Sequence, residues 1–75
     1  MTEGEKLGRR VRNRRTKLGM TQQTLCNAVG ITLAALRAIE QGRSEPKTPT
    51  LRGIVLHLGV SADFLLFGTT RAMAA

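Results

Sequence analysis

This sequence contains no tryptophan and no tyrosine, and its only aromatic residues besides His57 are Phe64 and Phe67. So few rings leave no platform on which unstacked RNA bases could lie, which argues against single-strand recognition. Together with sparse β-branched residues, the composition points to helices. There is one cysteine, Cys26, and it cannot close an internal disulfide; one Cys with one His cannot build a structural zinc site. The lone thiol fits a reducing, cytoplasmic compartment. No apolar run reaches the roughly 18–20 residues that span a bilayer, so no membrane partner is expected. The basic N-terminus is not followed by the apolar stretch of a secretory signal.

Acidic residues are scarce as well. Five Asp and Glu stand against twelve Lys and Arg, a formal net charge of +7. Seven of the twelve bases fall between Lys6 and Lys17. Such a field attracts polyanions, either nucleic acid or an acidic membrane surface; the plainer alternative is a solvated helix face. Charge alone does not separate DNA from RNA. Seventy-five residues hold one domain with a modest core. At this size, stability has to come from good helix packing, from a partner subunit, or from both.

Helical periodicity and its punctuation divide the chain into five segments. The first runs from about Glu5 to Leu18, with Leu7, Val11 and Leu18 on one stripe that also includes Arg15. Gly19 stops it. Thr21 caps a second helix from Gln22 to about Ala28, with Leu25 and Val29 inward and Gly30 as its stop. Ile31 is an apolar plug, and Thr32 caps a third helix reaching Glu40 or Gln41, with Ala35, Leu36 and Ile39 inward. Two short helices joined by a tight glycine turn have the layout of a helix-turn-helix. After a polar loop over 43–48, Thr48 caps a fourth helix with Pro49 at its first position. Leu51, Ile54, Val55 and Leu58 form its inner face. Gly53 within it costs about 1 kcal/mol against alanine unless close packing requires it. Ser61 caps a short fifth helix with Phe64, Leu65, Leu66 and Phe67 as core or interface, ended by Gly68. The expected organisation is one domain over 1–68 and a flexible tail over 69–75.

The ordered motifs resemble the phage Cro and repressor family of helix-turn-helix proteins, also called XRE-like. They are Leu-Gly at 7–8, Val11, Arg15, Leu-Gly-Met-Thr-Gln at 18–22, Leu25, Val-Gly-Ile-Thr at 29–32 and Leu36. They continue with Ile-Glu-Gln-Gly at 39–42, Pro46, Leu-Gly-Val-Ser at 58–61 and Asp-Phe-Leu-Leu at 63–66. The resemblance implies an all-α, five-helix, lambda-repressor-like DNA-binding domain with the helix-turn-helix at helices two and three. It implies a double-stranded-DNA-binding transcriptional regulator, usually a repressor, that reads a palindromic operator as a homodimer. It also implies that Arg15 pairs with Glu40, which is physically reasonable because a guanidinium on an apolar stripe needs a carboxylate.

In this geometry the third helix lies in the major groove. Its outward positions for base readout are Thr32, Leu33, Ala34, Arg37 and Ala38. Arg37 can bond guanine O6 and N7 bidentately, whereas the apolar residues can only touch surfaces such as thymine methyls. Many relatives carry polar side chains at these positions, so Arg37 and DNA shape are left to carry most of the discrimination. Phosphate contacts are expected from Thr21 and Gln22 at the start of helix two, and from Gln23, Gln41, Arg43 and Lys47, with Arg10 and Arg14 adding to them. The glutamine matching Gln22 makes this contact in relatives. The dimer region of relatives maps onto Leu56, His57, Val60, Phe64 and Phe67.

Other residues carry no chemistry of their own. His57 has no acid, Cys or second His near it in sequence, and Cys26 reads as a small packed thiol. No catalytic constellation, phosphate-cradling glycine loop, metal spacing, cofactor motif or small-molecule substrate site is expected, so the chain does not read as an enzyme. The main alternative is an antitoxin or adaptor using the same fold mainly for protein contact, with Leu33, Ala34 and Ala38 as its apolar surface.

Overall fold

The computed structural model describes residues 1–69 and places five α-helices in them. These are α1 (Glu3–Lys17), α2 (Gln22–Val29), α3 (Leu33–Glu40), α4 (Thr48–Leu58) and α5 (Ala62–Phe67). Residues 70–75, which make up most of the expected tail, lie outside the described residues. No helix of the described chain is long and apolar enough to cross a membrane.

Capping chemistry fixes most of the boundaries. Thr21, Thr32 and Ser61 accept from the backbone N–H three residues on, satisfying one orphan donor at the start of α2, α3 and α5. Gly30 closes α2 in the left-handed region at φ +84, a conformation that costs other residues a steric penalty. Two starts differ from expectation. Thr2 caps α1 and starts it at Glu3, two residues early, through a capping box, its hydroxyl accepting from Glu5 N while the Glu5 carboxylate accepts from Thr2 N. At α4 the N-cap is Lys47 and Thr48 is already helical; Pro49 fits the next position because first-turn N–H groups have no helical partner anyway.

The core is built from Leu7 and Val11 of α1, Leu25 and Cys26 of α2, Leu36 and Ile39 of α3, Ile54 and Leu58 of α4, and Leu65 of α5. Full burial of each large aliphatic side chain is worth about 1.5–3 kcal/mol. Glycines let the helices approach. A Cβ on Gly8 would collide with the Ile39 carbonyl oxygen and lie 2.7 Å from that of Glu40, so α1 rests directly on the end of α3. A Cβ on Gly53 would lie 3.0 Å from Val29 Cγ1, the close packing of α2 on α4 that offsets the helix cost of glycine.

Three side chains sit differently from the stripes read in the sequence. Leu18 is 44% exposed: it is the C-cap of α1, beyond the last turn of the stripe, and Met20 packs on the core at that end instead. On α3 the inward face follows Leu33, Leu36 and Glu40 at i, i+3 and i+7, flanked by Ile39. Leu33 therefore packs against the core and Ala35 is exposed. Cys26 is buried, as a small packed thiol should be, and its Sγ lies 3.5 Å from the Thr32 carbonyl oxygen, joining α2 to the cap of α3. Burial pushes its pKa up.

Candidate nucleic-acid interface

Successive helical residues turn by about 100°, which sorts the bases of α1 by direction. Leu7, Val11 and Arg15 point to the core. Arg10, Arg14 and Lys17 fall on one flank, toward α4 and α5, while Arg9 and Arg12 fall on the other, toward α3. The middle position is the most constrained. Arg15 Nε and Nη2 donate to the two carboxylate oxygens of Glu40 at 2.7 and 3.0 Å, and Nη1 donates to the Met20 carbonyl at 2.9 Å. The two side chains are 9% and 3% exposed. The hydrogen bond to Glu40 is the main reason the Arg15 pKa is raised, against the opposing effect of burial.

Around this pair opens a cleft of about 640 Å³ between α1, α2 and α3, lined by Arg12, Met20, Thr21, Gln22, Arg37 and Gln41 together with Arg15 and Glu40. A neighbouring depression of about 440 Å³ shares Arg12, Glu40 and Gln41 and continues to Arg9, Asn13 and Thr16. The cleft thus joins the start of α2, the outer face of α3 and one basic flank of α1. Leading N–H groups of a helix, with the positive end of its dipole, favour an anion there.

Of the residues singled out in the sequence, Thr21, Gln22, Arg37 and Gln41 come together in this cleft. Gln22 Nε2 donates to Glu40 Oε1 at 3.1 Å, and its Oε1 accepts from Arg37 Nε at 3.5 Å. Gln41 Oε1 accepts from Arg43 Nε at 2.9 Å, which brings Arg43 alongside. Gln23 is exposed and bonded to Asn27. Thr32, Ala34 and Arg37 are exposed on α3, Ala38 is half-buried, and Lys47 is exposed at the start of α4. Leu33 does not stand outward as expected, because it is part of the inner face.

Arg10 and Arg14, expected to add phosphate contacts, lie away from this cleft. Arg10 Nη1 donates to the Leu65 carbonyl and Arg14 Nε to the Leu58 carbonyl, each at 2.9 Å, so both serve the C-terminal ends of α5 and α4. They line a different groove, of about 580 Å³, with Lys17, Val60 and Phe64. Cations suit these positions because the last carbonyls of a helix lack partners and carry the negative end of the dipole. Arg12 and Arg9, which line the cleft and the depression beside it, were not among the expected contacts. The expected Arg15–Glu40 pairing was the available signal, since it fixes which flank of α1 faces α3.

Among the dimer candidates, Leu56 is 74% and Phe67 56% exposed, and His57 is exposed beside Leu56. Val60 and Phe64 pack against the core. Among the described residues there is no group of three or more His, Cys, Asp or Glu that could hold a metal ion.

A family model described as helix-turn-helix matches residues 11–65, from the middle of α1 into α5. The chain belongs to the helix-turn-helix family. Its resemblance to curated members is substantial. It is 42% identical over 62 residues to the SPbeta prophage-derived uncharacterized HTH-type transcriptional regulator YonR of Bacillus subtilis (strain 168), covering 83% of this chain and 57% of that protein. It is 31% identical over 65 residues to the ImmF control region 10 kDa protein of Bacillus phage phi105, covering 87% and 72%. This helix-turn-helix chain spans just over half the length of the first curated relatives it matches. Among solved structures, the P22 c2 repressor protein in complex with a synthetic operator superposes with a TM-score of 0.81 at 35% identity, covering 84% of this chain and 96% of that one. The clp gene regulator ClgR from C. glutamicum gives 0.79 at 29% identity, covering 88% and 86%. The five-helix arrangement is therefore the lambda-repressor-like one, with α2 and α3 as the helix-turn-helix.

Proposed function

We propose that this chain is a sequence-specific, double-stranded-DNA-binding transcriptional regulator of the Cro or repressor type, acting in the cytoplasm of a bacterial or phage-infected cell. The observation that carries the reading is the cleft itself. It joins the start of α2, Arg12 and the exposed Arg37 on one open face, in a fold shared with a repressor held on an operator.

Helix α3 enters the major groove. Arg37 reads a guanine through O6 and N7, while Thr32, Ala34 and Ala38 give close approach and contact with thymine methyls. Leu33 can add only the part of its side chain left outside the core. Thr21, Gln22, Gln23, Gln41, Arg43 and Lys47 hold the phosphates flanking the groove, with Arg12 and Arg9 in the place first assigned to Arg14 and Arg10. Two copies associate through the exposed Leu56, His57 and Phe67 and present their α3 helices about 34 Å apart to a palindromic operator. The protein-interaction alternative needs an apolar α3 face, and the partial burial of Leu33 leaves that face with little beyond alanines.

Selection of bound duplexes from a random-sequence pool tests this reading. The expected product is a palindrome with guanine at the Arg37 position, bound with an affinity that falls steeply as salt rises. A pool that shows no enrichment, or binding indifferent to salt, would refute it.

A further inference from the structure

Gln22 was expected to hold a phosphate, yet its amide is already engaged on both sides within the protein. Glu40 Oε1 receives its Nε2 at 3.1 Å, and its Oε1 receives Arg37 Nε over a longer 3.5 Å. Glu40 in turn is clamped by the bidentate Arg15, whose third contact is the Met20 carbonyl. A chain of four side chains thus runs from the packed interior between α1 and α3 to the exposed Arg37, across the cleft that all four line.

The chemistry of that chain demands an amide at position 22. One end must donate to a carboxylate and the other must accept from a guanidinium. Glutamate there would set a second carboxylate against Glu40, and lysine a second cation against Arg37. The contact also has a directional consequence. An acceptor on Arg37 Nε leaves the Nη1 and Nη2 edge, two parallel donors, available for another partner. Guanine O6 and N7 form a matching pair of acceptors in the major groove. An arginine on the surface otherwise spreads over many rotamers, and ordering it opposes binding.

We propose that Gln22 is a positioning residue for base reading. It passes the anchorage of the buried Arg15–Glu40 pair to Arg37 and holds the guanidinium with its terminal nitrogens directed at a guanine. This rests on the DNA-reading function proposed above and adds a dependence of selectivity on a residue that need not touch a base. Immobilising one such side chain in advance is worth about three- to tenfold in affinity for the correct site.

The test is a double-variant cycle read as selectivity. A duplex enriched by the wild-type chain from a random pool, and a scrambled duplex of the same composition, are titrated with wild type, Gln22→Met, Arg37→Ala and the double variant. Gln22→Met keeps the length of the side chain and removes both hydrogen bonds; Gln22→Ala, which cannot crowd Glu40, is the second variant. Thermal melts establish that each is folded. The expected result is a three- to tenfold loss in the ratio of selected to scrambled affinity, beyond the equal weakening of both duplexes that a lost phosphate contact brings, and no further loss of that ratio from the Gln22 change once Arg37 is alanine. If Gln22→Met and Gln22→Ala weaken both duplexes equally, or lower the ratio as strongly without Arg37, Gln22 does not position Arg37 and the proposal fails. A wild-type chain that enriches no duplex removes the DNA-reading function itself, an outcome distinct from the other two.

Discussion

The two flanks of α1 carry the same residue type and meet different surroundings. Toward α4 and α5, Arg10 and Arg14 lie over helix C-termini and donate to their last carbonyls. Toward α3, Arg12 lines the cleft that also holds Arg37 and the start of α2. Between them Arg15 is buried on Glu40. The net charge of +7 is therefore not one property with one purpose. About 160° of helical rotation separates Arg10 and Arg14, which serve helix ends, from Arg12, which is proposed to meet a polyanion. What a base does here is decided by the partner its direction gives it.

That contrast makes graded predictions. The largest effect belongs to the middle position. Arg15→Ala leaves the Glu40 carboxylate buried without its partner and should cost about 3–5 kcal/mol in chemical denaturation; a variant that melts like the parent would deny that the pair is buried. Next come Arg10→Ala and Arg14→Ala, each expected to lose about 1 kcal/mol as a helix end loses its donor. Affinity for scrambled duplex should change little in either folded variant. If both variants melt normally but bind DNA poorly, the division between the flanks is wrong.

Much of this was legible before any coordinates. Thr21, Thr32 and Ser61 announce their helices because a hydroxyl cap needs only local chain geometry, and the glycine stops are equally local. The pairing of Arg15 with Glu40 followed from a family resemblance joined to the physics of a charge on an apolar stripe. Other features were visible but passed over: Thr2 and Glu5 have the spacing of a capping box. The remaining differences share a cause. Periodicity gives the direction of a side chain relative to its own helix, not which neighbour lies there. Leu33 could look outward, and Arg10 and Arg14 could look like phosphate contacts, until α3 was rotated and the ends of α4 and α5 were placed beneath α1.

The smallest predicted effect concerns the start of α1. Hydrogen bonds from Thr2, first through its backbone N–H, lower the Glu5 pKa below the usual 4.5. A depressed folded-state value means that the stabilisation is present above the unfolded pKa and is lost as pH falls through the folded one. The difference in melting temperature between wild type and Glu5→Ala should be small near neutrality and vanish well below pH 4.5. A difference that grew on acidification would contradict the cap.

The division of labour along α1 is tested most directly by salt. Log affinity for a scrambled duplex, plotted against log salt concentration, reports how many phosphates the protein neutralises. Arg12→Ala should make the slope shallower by about 0.9, the contribution of one phosphate contact, while Arg14→Ala leaves it unchanged. The reverse, a shallower slope for Arg14→Ala and none for Arg12→Ala, would put the DNA on the other flank.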